Sequence, residues 1–105
     1  MPLTRDFKET VQARVRNDPA FRQALLKEGI ACLLAGEVDT GKAVLRDYIK
    51  ATIGFQELSE LTDRPAKSLM RMFSPKGNPQ AKNLFEIIRH LQEAEHVKLE
   101  VILSR

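Results

Sequence analysis

The sequence predicts a mainly α-helical fold, and three observations lead to this prediction. Apolar residues recur at steps of three and four along most of the 105 residues, which is the spacing of amphipathic helices. Glycine, proline and short polar residues separate these stretches, as they do at helix ends. Only VKLEVIL, residues 97–103, alternates apolar and polar side chains, so we expect one short C-terminal strand there.

Two helices are predicted in the N-terminal part. Apolar residues at steps of four from Phe7 through Val15 predict an amphipathic helix over residues 4–16. Asp18 is suited to cap the next helix, and Pro19 to occupy its first position, where the missing amide hydrogen costs nothing. This second helix is expected to run to about residue 35.

The stretch GEVDTGKAV, residues 36–44, has the glycine and lysine spacing of a phosphate-binding loop. Such a loop needs serine or threonine after its lysine to hold magnesium, and Ala43 stands there. Its two acidic residues would also repel a phosphate, and the preceding residues have helical spacing instead of strand spacing. We therefore predict that Gly36 ends one helix and that Asp39 or Thr40 caps the next.

The same signals place the remaining elements. Gly54 is predicted to end the third helix, and SPKGNP, residues 74–79, has the composition of a loop. The helical segments expected in this part of the chain are residues 40–53, 55–61, 65–73 and 80–94.

Length and composition indicate one domain, which we divide into leader helices (1–37), a core (39–95) and a tail (96–105). No apolar run reaches the length of a membrane span, and the first residues lack the apolar region of a signal peptide. Cys32 stands alone among apolar residues, so we interpret it as a small core residue. These features predict a cytoplasmic protein that makes no membrane contact.

We predict neither an enzyme nor a cofactor, because the sequence offers no convincing catalytic or metal-binding set. Glu57 and Glu60 have no nucleophile or base beside them. His90 and His96 lack the nearby cysteine pair of a common zinc site.

Basic residues concentrate in one segment. The whole chain carries a net charge of +3, whereas residues 62–82 carry +4, from five basic residues and Asp63. This segment holds two short helical stretches joined by TDR, which is the arrangement of a helix-turn-helix. Arg64 follows Asp63 in the turn, where its stem can cover apolar surface.

The second of these helices is predicted to have two distinct faces. Leu69 and Phe73 fall on one face with Met72, whereas Lys67, Ser68 and Arg71 fall largely on another. Insertion into the major groove of DNA requires such an inward apolar face and an outward face of hydrogen-bond donors.

The stretch GFQELSELTDRPAKSLMRMFSPKGNPQAKNLFEIIRHLQ resembles the antidote (antitoxin) proteins of addiction modules, within the lambda-repressor-like helix-turn-helix superfamily. Its most distinctive part is KSLMRMFSPKGNP, and the upstream ALLKEGIACLLAGEVDTGKAVLRDYI is similar to the leader helices of these regulators. The resemblance covers about residues 20–95. It implies a lambda-repressor-like helix-turn-helix bundle with extra N-terminal helices, a homodimer on a palindromic operator of double-stranded DNA, and a small toxin encoded beside it.

Carried over by position, the resemblance implies a set of DNA-contacting residues. Arg71 is expected to bind a guanine edge, and Lys67 a base or a phosphate. Asp63 departs from the glycine found in many such turns, although short polar residues tolerate the left-handed conformation. The complete set is Arg64, Lys67, Ser68, Arg71, Lys76, Asn78 and Lys82.

A second interpretation stays open at the level of the sequence. The N-terminal helices and the 97–103 strand could form a protein-interaction module in which DNA binding is weak or lost. For a DNA-binding dimer, either that strand or the 80–94 helix would form the seam, because both display apolar residues near the chain end.

Overall fold

Six helices form the described part of the computed structural model, which covers the backbone of residues 5–105 and the side chains of residues 10 and 12–105. The mainly α class is confirmed. None of the described helices is both long and apolar enough to span a bilayer. The side chain of Phe7, predicted to face inward, lies outside the described residues. The helices are α1 (Arg5–Asn17), α2 (Pro19–Leu34), α3 (Val38–Ala51), α4 (Gly54–Thr62), α5 (Ala66–Met72) and α6 (Ala81–Glu95).

Helices α2 and α3 form the most extensive helix pair, and small residues let them approach closely. A Cβ atom added to Gly29 would lie 2.7 Å from Cδ2 of Leu45. A Cβ atom added to Gly41 would lie 2.8 Å from Cδ2 of Leu33. A side chain at either glycine would therefore collide with a leucine of the facing helix, and that leucine would have to shift.

One apolar core joins α2 and α3 to the three later helices. Helices α4 and α5 share part of it through the rings of Phe55 and Phe73, whose centroids are 6.4 Å apart. The buried members of the core are Leu26, Leu45, Tyr48, Ile49, Phe55, Leu58, Leu69, Phe73, Ile87 and Leu91.

The predicted boundary between α1 and α2 is confirmed, and so is the end of α2. The Asp18 side chain accepts a hydrogen bond of 3.2 Å from the Phe21 N–H, and Pro19 is the first residue of α2. After Leu34 the chain leaves the helix through Gly36, which has a φ of +85°. Glycine suits this conformation because it has no Cβ to clash with the backbone.

Two predicted helix ends are wrong. Helix α3 begins at Val38 with Glu37 at the N-cap, so neither Asp39 nor Thr40 caps it, and Asp39 lies in the first turn. Gly54 does not end α3; it is the first residue of α4 and has a φ of +81°. Helix α3 ends earlier because Thr52 leaves the helical conformation while its hydroxyl donates to the Tyr48 carbonyl at 2.7 Å.

The predicted strand over residues 97–103 is also wrong, since the described chain contains no strand. After His96, which caps α6 with a φ of 59°, the chain turns back so that Val97 and Leu99 pack against the core. The next three side chains are exposed: Val101 and Ile102 at 86% and Leu103 at 81%. A strand needs a neighbouring strand for its N–H and C=O groups, and residues 5–105 of one copy supply none.

Candidate nucleic-acid interface

The turn between α4 and α5 reverses the chain at Asp63. This residue has φ and ψ of 54° and 41°, so it occupies the left-handed conformation that the sequence suggested for it. The Ser59 hydroxyl donates to the Arg64 carbonyl, and the Arg64 N–H donates to the Ser59 carbonyl at 3.3 Å. Pro65 follows as the N-cap of α5, one position before the helix that it was expected to begin. These bonds hold α4 and α5 in one arrangement.

Helix α5 has the two faces that its sequence predicts. Leu69 and the C-cap residue Phe73 are both 0% exposed and anchor the helix in the core. Lys67, Ser68 and Arg71 are exposed on the rest of its surface. The helix thus presents an ammonium, a hydroxyl and a guanidinium group to solvent on a buried apolar base.

The loop after α5 folds tightly against the end of that helix. The backbone N–H and the hydroxyl of Ser74 both donate to the Arg71 carbonyl, at 3.1 and 2.8 Å. Gly77 comes so close that a Cβ atom added there would lie 1.8 Å from the Arg71 carbonyl oxygen. Lys76 and Asn78, on either side of Gly77, are exposed. A side chain at position 77 is excluded by contact with backbone, which explains the glycine.

Lys42, from the segment that resembles a phosphate-binding loop, has a structural role at this loop. Its side chain is buried, and Nζ donates to the Gly77 carbonyl at 2.7 Å. Nζ also lies 3.5 Å from Oδ1 of Asp39 in the first turn of α3. The hydrogen bond from Lys42 therefore connects the loop to α3. No local sequence pattern predicts this bond, because the two residues lie far apart in the chain.

Arg64 differs from the other six residues of the predicted DNA-contacting set. Its Nη2 atom donates to Oδ1 of Asn83 and to Oε2 of Glu86, each at 2.9 Å. The hydrogen bond from Arg64 lowers the pKa of the Glu86 carboxyl. This pairing joins the turn to α6, so the charge of Arg64 is largely neutralised within the protein.

The remaining cations of the segment form what we call the basic edge, namely Lys67, Arg71, Lys76 and Lys82. All four side chains are exposed. Within the part of the chain that the structure describes, none of the four has an ion-pair partner. Their charges are therefore available to an external anion.

The start of α6 adds uncharged donors beside Lys82. The N-cap residue, Gln80, makes no side-chain hydrogen bond to the helix, and the first turn, all of it described, holds no acidic residue. The first backbone N–H groups of a helix have no partner within the helix and favour an anion near them. This helix end is thus compatible with a phosphate group.

A second group of polar residues differs from the basic edge, because it is largely buried and its members pair with one another. We call Arg22, Tyr48 and Glu95 the buried polar cluster. Arg22 Nε donates to the two carboxylate oxygens of Glu95 at 2.8 and 2.7 Å, and the Tyr48 hydroxyl donates to the same carboxylate. Burial, together with this hydrogen bond, raises the pKa of Tyr48.

No local sequence pattern indicates the buried polar cluster, because its members lie on three different helices. Tyr48 is buried in the apolar core. Glu95 sits in the last turn of an amphipathic helix, where a carboxylate would ordinarily face water. The cluster borders a cavity of about 550 Å³, whose wall also includes Glu57 and Leu61 of α4. Because its most buried polar atoms bond one another, we assign this cavity no ligand.

The remaining candidates are Cys32 and the residue types that bind metal ions. Cys32 is buried as expected, and burial raises the pKa of its thiol, which disfavours the reactive thiolate. Among the described residues, histidine, cysteine, aspartate and glutamate side chains form no group of three or more that could hold a metal ion.

Comparisons of this chain with protein families, with curated proteins and with solved structures found no match. Any functional assignment therefore depends on the residues themselves and on their surroundings.

Proposed function

We propose that this protein is a sequence-specific DNA-binding transcriptional regulator of the helix-turn-helix type, which binds its operator as a homodimer. The observation that carries the proposal is the division of α5 into a fully buried base, Leu69 and Phe73, and an exposed face with Lys67, Ser68 and Arg71. A helix built in this way can enter the major groove while its own domain holds it rigid.

Arg71 is the residue to which we assign base recognition. A guanidinium group can donate two parallel hydrogen bonds to O6 and N7 of guanine, and such a contact gives roughly 1–3 kcal/mol of discrimination. Lys67 and Ser68 lie one turn earlier on α5 and donate to a neighbouring base or phosphate. The rigid attachment of α5 fixes the register in which these donors meet the base pairs.

Phosphate binding is assigned to the loop and to the start of α6. Lys76 and Lys82 supply positive charge, Asn78 supplies an amide donor, and the first N–H groups of α6 add further donors. Phosphate contacts fix the position of a protein on DNA, and each one adds close to −0.9 to the slope of log K against log salt.

A homodimer is part of the proposal because one α5 reaches only a few base pairs. Two copies related by a two-fold axis would place two such helices about 34–36 Å apart, one turn of the duplex, on a palindromic site. The resemblance to addiction-module antidotes further suggests that the regulator is the antidote of a toxin–antitoxin pair.

The test begins with selection of a preferred duplex from a random-sequence library by the wild-type protein. Dissociation constants for this duplex and for a scrambled duplex are then measured across salt concentrations. We expect Arg71→Ala to weaken binding to the selected duplex by about 5- to 150-fold, the equivalent of one lost bidentate contact. Binding to the scrambled duplex should change much less.

Lys27→Ala is the matched control, because Lys27 is an exposed cation on α2, outside the basic edge. It should leave both constants nearly unchanged. If no sequence is enriched, or if Arg71→Ala weakens binding to both duplexes equally, specific readout by α5 is refuted. A wild-type protein that binds both duplexes weakly would favour the alternative, a protein-interaction module with weak or lost DNA binding.

The antidote role has a separate test. A reading frame adjacent to the gene, encoding a small basic protein of toxin type, is expected. Co-expression should protect cells from that protein and yield a complex with this chain. Growth arrest that co-expression does not relieve would leave a DNA-binding regulator without an antidote role.

A further inference from the structure

We infer that the C-terminal tails of two copies pair as antiparallel strands centred on Leu99, with Lys98 of each copy opposite Glu100 of the other. This inference rests on the homodimer proposed above and selects its seam. It accounts for a tail that has the alternation of a strand but forms no strand in the described single chain.

The first step is the direction of the backbone groups in the tail. The N–H groups of Val97 and Leu99 both point to Gln92 of α6, one to its backbone carbonyl at 3.0 Å and the other to its side-chain oxygen at 2.8 Å. Two N–H groups that lie two residues apart and face the same side fit an extended chain, in which successive N–H groups point to opposite edges. The N–H groups of Lys98 and Glu100 consequently face away from α6, toward an open edge.

The second step is the hydrogen-bond pattern that this edge allows. In an antiparallel pair, residues alternate between those that exchange both backbone hydrogen bonds and those that exchange none. Since Leu99 uses its N–H within its own chain, it belongs to the second type. Centring the pair on Leu99 therefore leaves Lys98 and Glu100 to exchange backbone hydrogen bonds with the partner copy, using the groups that face the open edge.

The third step is the register, which the side-chain charges distinguish. With Leu99 opposite its own copy, Lys98 faces Glu100 of the partner twice, so that two attractive pairs form. A shift that centres the pair on Glu100 would bring two carboxylates together. Opposite charges on facing strand residues are favourable and like charges unfavourable, so the sequence discriminates between these registers.

The apolar residues agree with the same register. Val101 of one copy falls opposite Val97 of the other, on the face where Val97 and Leu99 pack against the core. In the single chain Val101 is 86% exposed, although it lies on the same face of the alternating pattern. Pairing would cover this side chain against the core of the partner, which is the burial that the single chain fails to provide.

The self-complementary pattern is the reason to assign a second copy of this chain as the occupant. One tail supplies both halves of the pairing: a lysine and a glutamate at positions that exchange under a two-fold axis, and apolar residues that meet across it. An unrelated strand would need the same charge order and the same apolar face.

The test uses the full chain with Lys98→Glu, with Glu100→Lys, and with both substitutions, and measures the dimer dissociation constant by sedimentation. Each single substitution converts two attractive pairs into two repulsive ones, so we expect the dissociation constant to rise about tenfold or more. The double variant restores attraction and should lie within about threefold of wild type. Both residues are exposed, so the fold of each copy should persist, as thermal unfolding will check.

A mixture of the two single variants provides the sharpest arm of the test. In a heterodimer of K98E with E100K, both facing pairs are again attractive, so the mixture should dimerise more tightly than either variant alone. Under the register centred on Glu100, K98E alone would have little effect, and E100K would pair equally well with the wild type and with K98E. Equal dissociation constants for K98E and wild type would overturn the inferred register.

Proline substitutions test the backbone part of the inference. Glu100→Pro removes an N–H that should bond to the partner, and it should weaken the dimer more than Glu100→Ala does. Ser104→Pro, outside the paired residues, should leave the dimer intact. A wild-type protein that stays monomeric would refute both the seam and the homodimer, whereas a dimer insensitive to every tail variant would refute the seam and leave the proposed regulator standing.

Discussion

The buried polar cluster and the basic edge use charged residues in opposite ways. In the cluster, the side chains of Arg22 and Glu95 are only 23% and 4% exposed, and each charge is matched by a partner inside the protein. Along the basic edge, charges of one sign face water without a protein partner among the described residues. The comparison teaches that the paired charges of the cluster hold helices together, whereas the charges of the basic edge remain available to an external partner.

Arg64 shares a feature with each of these two regions. It lies within the basic segment, yet its guanidinium bonds to Asn83 and Glu86 as the arginine of the buried polar cluster bonds to Glu95. Sequence position alone would group it with Lys67 and Arg71. Its contacts group it with the residues that hold helices together.

The largest effect is expected when the buried polar cluster loses its negative charge. Glu95→Gln leaves Arg22 without a counterion and should lower the free energy of unfolding by about 3 kcal/mol, since breaking a buried ion pair costs about 3–5 kcal/mol and Arg22 is partly exposed. Denaturant titration measures the change.

Glu93→Gln is the matched control on the same helix. Glu93 pairs with Arg89, but both side chains are more than half exposed, so the loss should stay below about 1 kcal/mol. Equal losses in the two variants would contradict the distinction between a structural cluster and a solvated surface.

A smaller effect is expected at the loop that supports the basic edge. Gly77→Ala forces a methyl group against the Arg71 carbonyl and should displace the loop from Lys42, with a loss of about 1–3 kcal/mol in the free energy of unfolding. Asn78→Ala, the exposed neighbour, should change stability by less than about 0.5 kcal/mol. A fully stable Gly77→Ala protein would show that the close approach at this loop is unimportant for folding.

The smallest perturbation is a pH titration of the unmodified protein. The chain has one tyrosine and no tryptophan, so tyrosinate absorbance reports Tyr48 alone. Its pKa is raised in the folded state by burial and by Glu95, above the ordinary value of 10.0. The folded protein should therefore show little tyrosinate at pH 10, whereas the protein in denaturant should be about half ionised there.

The sign of the linked stability change follows from the same pKa. Because folding raises the pKa of Tyr48, its contribution to stability is fully present below pH 10.0 and is lost as pH rises above that value. The free energy of unfolding should thus fall in the alkaline range. Equal titration curves for the folded and denatured protein would contradict the burial of the hydroxyl.

Local sequence patterns predicted most of the helices and the two faces of α5, since each depends on side chains close together in the chain. The N-cap at Asp18 and the left-handed Asp63 are of this kind. The errors at Gly54 and in the C-terminal tail arose where a local signal suits more than one outcome. A glycine with positive φ can end one helix or begin another, and an alternating segment becomes a strand only beside another strand.

The contacts that escaped prediction join residues distant in the chain. Lys42 to the Gly77 carbonyl and Arg22 to Glu95 have no signature at fixed spacing, because helix packing brings them together. Sequence reasoning located the exposed donors of the candidate interface. It could not tell that Arg64 is held by α6, since that requires the position of Glu86 in space.

The closed turn at Asp63 has a mechanical consequence for the two helices it joins. Hydrogen bonds between Ser59 and Arg64 close the turn from both directions, and the rings of Phe55 and Phe73 brace the helices against each other. The connection between α4 and α5 is consequently rigid and does not act as a hinge. A force applied to α5 from outside is transmitted to α4 as movement of one rigid unit.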